Sequence, residues 1–141
     1  MEWQHWFEII ETAIWPYTLY GIYRVRVTSA EGVPIPIPRI GGTDPVGILN
    51  IGRSGYRTSK TNRSLGQRLR EFWQGNHSSA YSCGLAARTL SLLPAFAGHR
   101  LWASVVLLAD EDIQQAEASA LREYFDRFLE LPPYNAAFPG R

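Results

Sequence analysis

Glu117 is the side chain in this sequence that most needs a chemical partner. On a helix with 100° per residue, the apolar residues around it all lie within about 60° of it: Ile113, Ala120, Leu121, Tyr124, Phe128 and Leu131. The other acids further along this segment lie more than about 110° away: Glu123, Asp126 and Glu130. Desolvating a carboxylate costs several kcal/mol, so one in an apolar stripe is almost never left unpaired. The spacing therefore predicts that Glu117 meets a cation, either a metal ion or a buried arginine.

Arg68 is the arginine best suited to such a pairing. It follows Leu65 by three residues and lies about 60° from it, at the edge of the apolar stripe of its own segment. A guanidinium group at this boundary clamps either a carboxylate or a phosphate, because its planar fork of N–H donors fits both anions. Arg68 is therefore a candidate catalytic residue and also a candidate structural partner of Glu117.

His77 lies in a turn of small polar residues, GNHSS. A lone histidine in such a turn more often caps a helix or donates a hydrogen bond than transfers a proton in catalysis. Both roles stay open for His77, whereas His5 and His99 have no neighbouring polar residues that would form a site with them.

Residues 45–70 form a basic segment that contains no acid. Its six cations are Arg53, Arg57, Lys60, Arg63, Arg68 and Arg70. Residues 110–130, in contrast, hold seven acids against two arginines. The basic segment is either a solvated loop or a surface that faces phosphate, for which arginine is well suited. On the second interpretation, the nucleic-acid-binding residues are Arg53, Arg57, Lys60, Arg63 and Arg70.

Composition limits the class of protein. The chain has 141 residues, 45% of them hydrophobic and 19% charged, which predicts one globular domain with a real core. Cys83 is the only cysteine, so an intramolecular disulfide and a cysteine-based zinc site are excluded. No apolar run approaches the roughly 20 residues that cross a bilayer, and the first residues carry acids without a basic leader. We therefore expect a cytoplasmic protein that does not bind a membrane.

The first half of the chain predicts one helix and two strands. Apolar residues recur at helical spacing in residues 2–14, and Pro16 follows. This tryptophan-rich helix is a candidate surface for a protein partner. Residues 22–28 alternate apolar and basic side chains, as a half-buried strand does. The segment VPIPIP at 33–38 predicts an extended loop or a sheet edge, and 48–51 a second short strand.

The second half predicts three helices and the central strand. Ser64 and Gln67 form a capping-box pattern at the start of a helix with an apolar stripe. A second helix is expected at 81–93, a valine-rich central strand at 101–109 and a long final helix at 110–130. The predicted fold is therefore α/β (α+β), with a small three-stranded sheet flanked by helices. It forms one domain over residues 1–141, with a motif-bearing core at 20–135.

The order of the short motifs resembles that of the GIY-YIG endonuclease superfamily. The matching residues are GIY at 21–23, NIG at 50–52, SLGQRLREF at 64–72, the histidine of HSS, Glu117, and LPPYN ending at Asn135. Each tripeptide alone is weak, but the combination is fairly specific and spans nearly the whole chain. The resemblance implies a compact nuclease domain that hydrolyses DNA phosphodiesters with one divalent ion, Mg²⁺ or Mn²⁺.

The resemblance also implies roles for single residues. Tyr23 matches the tyrosine of GIY, Arg68 the catalytic arginine and Glu117 the glutamate that binds the metal. Asn135 matches a structural asparagine, and His77 resembles a histidine found in part of the superfamily. These matches make Tyr23, Arg68, His77 and Glu117 the catalytic candidates.

Two residues depart from the superfamily pattern. Asn50 replaces the tyrosine of YIG, and Phe72 stands where many members have histidine or tyrosine. An amide can orient a water but cannot act as a base, and Tyr56 is an alternative source of a phenol. The leading interpretation is a modified but active nuclease. The alternatives are a catalytically silent nucleic-acid-binding module, and a protein-interaction domain in which Glu117 pairs with Arg68.

Overall fold

The computed structural model describes residues 1–59, 63–74 and 90–135. The strands are β1 (Phe7–Glu8), β2 (Gly21–Thr28), β3 (Ile37–Arg39), β4 (Gly42–Asp44), β5 (Ile48–Arg53) and β6 (Arg100–Leu107). The helices are α1 (Leu65–Gln74) and α2 (Asp110–Phe128), with 3₁₀ turns at Leu90–Leu92 and Pro94–Phe96. The predicted α+β class is confirmed. Of the helix expected at 81–93, residues 81–89 lie outside the described part, and residues 90–92 form a 3₁₀ turn.

The main sheet is antiparallel and has the strand order β1-β6-β2-β5. β2 pairs with β6 along its whole length, from Gly21 opposite Leu107 to Thr28 opposite Arg100. β3 and β4 form a separate two-stranded sheet. The expected three-stranded sheet is therefore incomplete: β2, β5 and β6 are its predicted strands, while β1 adds a fourth. Of the proline-rich segment, residues 33–36 form a loop with one isolated bridge, from Pro34 to Thr28, and residues 37–38 begin β3, so each of the two interpretations holds for a part of it.

The expected N-terminal helix at residues 2–14 is wrong, because this segment is extended along the edge of the sheet. The N–H of Gln4 donates to the carbonyl of Val105 at 2.9 Å, and that of Ile9 to the carbonyl of Leu101 at 2.8 Å. A helix over residues 2–14 would have used the N–H of Ile9 internally. Trp3 and Trp6 pack on one face of the sheet and Ile9 on the other, so their helical spacing did not indicate one continuous apolar face.

β2 is buried on both faces because a different helix covers each one. Tyr23, Val25 and Val27 are fully buried in a cluster with the apolar stripe of α1. Ile22 is also fully buried, in a second cluster with α2 on the opposite face. The alternation of side chains along a strand thus directs Tyr23 and its neighbour Ile22 toward different helices.

Both helices begin near where the sequence predicts. The N–H of Gln67 donates to the Ser64 hydroxyl at 3.3 Å, which is half of the expected capping box. α2 ends at Phe128, two residues before the predicted end. Leu129 there adopts a left-handed conformation with φ of 57°, and its N–H donates to the carbonyl of Phe125 at 2.7 Å.

Gly52 on β5 lies directly opposite Tyr23 on β2. A Cβ atom at this position would overlap the hydroxyl and ring of Tyr23, whose phenol therefore lies across the glycine. The absence of a side chain at 52 is what makes room for the Tyr23 ring.

We expect Gly52→Ala to destabilise the protein by about 1–3 kcal/mol, because the added methyl forces the buried Tyr23 ring to move. Urea denaturation measures the change. Gly55→Ala is the control, since its Cβ would meet its nearest atoms, in Arg63, at 3.4–3.5 Å, and its effect should stay below about 1 kcal/mol. Equal losses in the two variants would contradict this packing.

Candidate active site

Glu117 lies on the face of α2 that packs toward the sheet, and its side chain is only 12% exposed. Its carboxylate meets the Nε of Arg53 on β5 at 3.4 Å. Burial raises the pKa of Glu117, while the positive charges of Arg53 and Arg68 lower it. The expectation that this carboxylate meets a cation is confirmed, and the cation that contacts it is Arg53.

Arg68 approaches Glu117 from α1, close enough for its charge to act on the carboxylate. Its Nη1 is 4.0 Å from Glu71, one helical turn further along α1, and its side chain is 13% exposed. The structure therefore brings the catalytic candidates Arg68 and Glu117 together at the end of β5, although they come from helices on opposite faces of the sheet.

Tyr23 is not accessible from solvent, as a catalytic base at a surface site would be. Its side chain is fully buried, with the hydroxyl against Gly52. Tyr56 lies beside the paired charges, with its ring 5.3 Å from the guanidinium carbon of Arg53. The structure thus places a second phenol beside the residue that contacts Glu117.

Asn50 is buried on β5, opposite Val25. Its Nδ2 donates to the carbonyl of Tyr134 at 3.4 Å, and its Oδ1 has no hydrogen-bond partner among the described residues. A buried amide oxygen without a partner is uncommon, and the group is suited to accept a hydrogen bond from a water.

Asn135 connects the segment after α2 to β5. Its Oδ1 accepts from the N–H of Ile51 at 2.9 Å, and its Nδ2 donates to the carbonyl of Ile51 at 2.8 Å. The amide thus pairs with β5 as a neighbouring strand would. It holds the segment after α2 beside Asn50 and Arg53.

Two arginines of the predicted nucleic-acid-binding set form ion pairs with acids that lie outside the basic segment. Arg53 contacts Glu117, and Arg63 binds both carboxylate oxygens of Glu71 at 2.8 and 2.9 Å. Arg57 and Arg70 are exposed on the surface. Lys60, like the catalytic candidate His77, lies outside the described residues. Arg57 and Arg70 are therefore the described arginines of this set best placed to meet an external anion.

Phe72 packs in the core with Leu65 and Leu69, fully buried. Where the superfamily often has a polar ring, this chain therefore has only an apolar one. The described part of the chain has no group of three or more histidine, cysteine, aspartate or glutamate side chains that could hold a metal ion together. Any metal site built on Glu117 would thus take at most two ligands of these four types from the described residues.

Compared with protein-family models, curated proteins and solved structures, the chain matches none. None of its described helices is long and apolar enough to cross a membrane. The interpretation of the site therefore depends on the chemistry of its own residues.

Sequence reasoning did not identify Arg53 as the partner of Glu117. The signal was present in the alternation of β5, because Arg53 follows Ile51 by two residues and so shares its face. Ile51 packs in the cluster with α2, which carries Glu117. Arg53 was the arginine whose strand position directed it toward that helix.

We expect Glu117 to make stability fall as the pH rises. Its pKa in the folded protein is raised above 4.5, so the folded state binds this proton more tightly than the unfolded chain does. The stabilisation is fully present below the unfolded pKa and is lost as the pH rises through the folded pKa. Relative to Glu117→Gln, the wild type should therefore lose unfolding free energy between about pH 4 and neutral pH.

Urea denaturation of both proteins across this pH range is the measurement. Glu123→Gln is the matched control, because Glu123 is exposed on the same helix and should show no such dependence. A difference between wild type and Glu117→Gln that is constant with pH would contradict the desolvation of Glu117.

Proposed function

We propose that this chain is a divalent-metal-dependent DNA endonuclease of the GIY-YIG kind. The observation that carries the proposal is the nearly buried carboxylate of Glu117, with Arg53 in contact and Arg68 close by. A carboxylate can ligate a hard cation, and the two guanidinium groups can neutralise a phosphodiester beside it. Phosphodiester hydrolysis needs both kinds of charge within one small region.

The donor set fits Mg²⁺, which keeps several of its waters and commonly takes one or two carboxylates from a protein. Glu117 would hold the ion, and the same residue would hold Mn²⁺. When bound, the ion supplies Lewis-acid stabilisation of the leaving oxygen. One carboxylate within an apolar stripe, in contact with a basic residue, is consistent with such a site.

The two arginines have complementary positions. Arg53 touches Glu117 through Nε, at a distance of 3.4 Å that is long for an ion pair. Its Nη donors are not used in this contact, so they can hydrogen-bond a phosphate oxygen. Arg68 adds a second positive charge from α1. Together they would orient the phosphodiester and balance the negative charge that develops on it.

The attacking water needs a group that orients it and a group that takes its proton. Asn50 can orient a water through Oδ1, because this acceptor has no partner among the described residues. Tyr23 is the proposed proton acceptor or relay, but its ordinary phenol pKa near 10 makes it a weak base. Because Tyr23 is fully buried, a proton reaches it only through a group in contact with it.

A second candidate is a catalytically silent nucleic-acid-binding module on the same fold. It is favoured by the contact between Arg53 and Glu117, which neutralises the carboxylate without a metal, and by the full burial of Tyr23. The exposed Arg57 and Arg70 would serve binding in either case. Cleavage that depends on a divalent ion separates the two functions.

We expect the wild-type protein to nick or cut supercoiled plasmid with Mg²⁺ or Mn²⁺, and a chelator to stop the reaction. Glu117→Gln should keep the fold and abolish cleavage, because the amide keeps the shape but loses the charge that holds the ion. Glu123→Gln, on the exposed side of α2, should cut at the wild-type rate. Absence of cleavage by the wild type with either ion would replace this proposal with the binding module.

We expect Arg57 and Arg70 to contact phosphate without reading base sequence. Replacing both with glutamine should weaken binding to unrelated duplexes equally and lower the salt slope by up to about 2, roughly 0.9 for each lost phosphate contact. Fluorescence anisotropy over a salt series measures the slope. Arg122→Gln is the control, because Arg122 pairs with Asp126 on α2. If the salt slope of the double variant equals that of the wild type, Arg57 and Arg70 do not contact phosphate.

A further inference from the structure

Tryptophan and arginine side chains alternate along one face of the main sheet. The guanidinium of Arg24 lies 4.5 Å from the Trp3 ring and 4.6 Å from the Trp6 ring. Arg26 lies 4.3 Å from Trp6 and 6.0 Å from Trp102, and Arg100 lies 4.6 Å from Trp102. We call these six residues the Trp–Arg ladder. It attaches the N-terminal segment to β2 and β6 through cation–π contacts.

The three arginines of the ladder differ in how their charge is balanced. Arg100 binds both carboxylate oxygens of Glu8, at 2.7 and 2.8 Å. Arg24 and Arg26 have no side-chain hydrogen bond or ion pair with any described residue, and the Nε of each is buried without a partner there. Cation–π contacts leave the N–H donors of a guanidinium unused. Two half-buried cations, two residues apart on β2, thus lack an anion.

The surroundings of Arg24 make it unfavourable to leave this guanidinium without an anion. Burial and the charge of Arg26 lower the pKa of Arg24 to about 10, while the carboxylates of Asp44 and Glu123 act in the opposite direction. Asp44 is already occupied: it accepts from the backbone N–H groups of residues 46–48 and from the hydroxyl of Tyr124 at 2.9 Å. Glu123 is exposed to solvent. An anion with direct access to Arg24 would supply hydrogen bonds that neither carboxylate gives.

A cleft of about 240 Å³ opens beside Arg24, between the N-terminal segment, β2 and the second half of α2. Charged and apolar side chains share its lining: Asp44 and Glu123 line it beside Arg24 and Arg127, and the apolar part includes Trp3, Val46, Ile48, Tyr124 and Phe128. Cavities of roughly 150 Å³ hold a benzene ring, so this cleft has room for a ring and a charged head group. Along α2 the lining extends from Ala120, less than one helical turn after Glu117, to Phe128, and Glu117 itself is not part of it.

We propose that this cleft binds a small organic anion with an apolar body and one oxyanion head group, phosphate or carboxylate. The head group accepts hydrogen bonds from the guanidinium of Arg24, and the body packs against Trp3, Val46 and Tyr124. Apolar walls with a few convergent polar groups are typical of small-molecule sites. Binding at this site does not require the proposed cleavage at Glu117.

The test is a titration of the full chain, followed through the arginine Nε–H and tryptophan indole N–H signals in ¹H–¹⁵N correlation spectra. The probes are phenyl phosphate, benzoate and inorganic phosphate, with sodium chloride at matched ionic strength. We expect saturable shifts at Arg24 and Trp3 with phenyl phosphate or benzoate, and the tighter of the two identifies the head group. Inorganic phosphate lacks the apolar body and should bind at least about tenfold more weakly than phenyl phosphate.

Two variants separate the cleft from other anion sites on the protein. Arg24→Met keeps the aliphatic stem and should abolish the saturable shift at Trp3. Val46→Phe fills the cleft but keeps Arg24, so it should weaken phenyl phosphate more than inorganic phosphate even if Arg24→Met fails to fold. Shifts that equal those of sodium chloride, that survive Val46→Phe unchanged, or that occur only at Arg53 and Arg68 would overturn the proposal.

Discussion

β2 must be covered on two faces of opposite character, and the rest of the described fold follows from this requirement. One face carries Tyr23, Val25 and Val27, which are completely buried in a cluster that includes the apolar stripe of α1. The other carries Ile22 followed by Arg24 and Arg26, which a helix with an ordinary apolar stripe could not cover alone. α2 packs over Ile22, while Trp3 and Trp6 cover the arginines. The N-terminal segment thus lies extended along the sheet because its tryptophans cover the two charged side chains of the central strand.

The candidate active site lies at the end of β5, between the two helices that cover opposite faces of the main sheet. Arg53 from β5, Arg68 from α1 and Glu117 from α2 converge there, so neither helix nor the sheet contains the site alone. The bonds from Asp110 to the backbone N–H groups of Arg57 and Thr58 tie the loop after β5 to the start of α2. A small displacement of either helix would change the separation of the charges.

Local patterns predicted the elements with strong periodicity. Alternation located β2, the valine-rich run located β6, and the apolar stripe around Glu117 located α2 and the buried face on which this carboxylate lies. β1 was not predictable in this way, because a strand of two residues has no periodicity of its own. Its segment is held on the sheet by the contacts of Trp3 and Trp6 with Arg24 and Arg26. The partner of Glu117 was missed for a related reason. Choosing between Arg53 and Arg68 required knowing which face of β5 meets α2, and that depends on packing across the whole domain.

The pairing of Asn135 with Ile51 has a consequence for how copies of this chain meet one another. β5 is the last strand on its side of the main sheet, and a bare strand edge can recruit a strand from another molecule and start aggregation. Here the N–H of Tyr134 donates to Leu49 at 2.8 Å, and the Asn135 amide occupies both backbone groups of Ile51. The segment after α2 thus blocks part of this edge without adding a strand. The backbone groups of Leu49 and Ile51 that it occupies are thus not available to a strand from another copy of the chain.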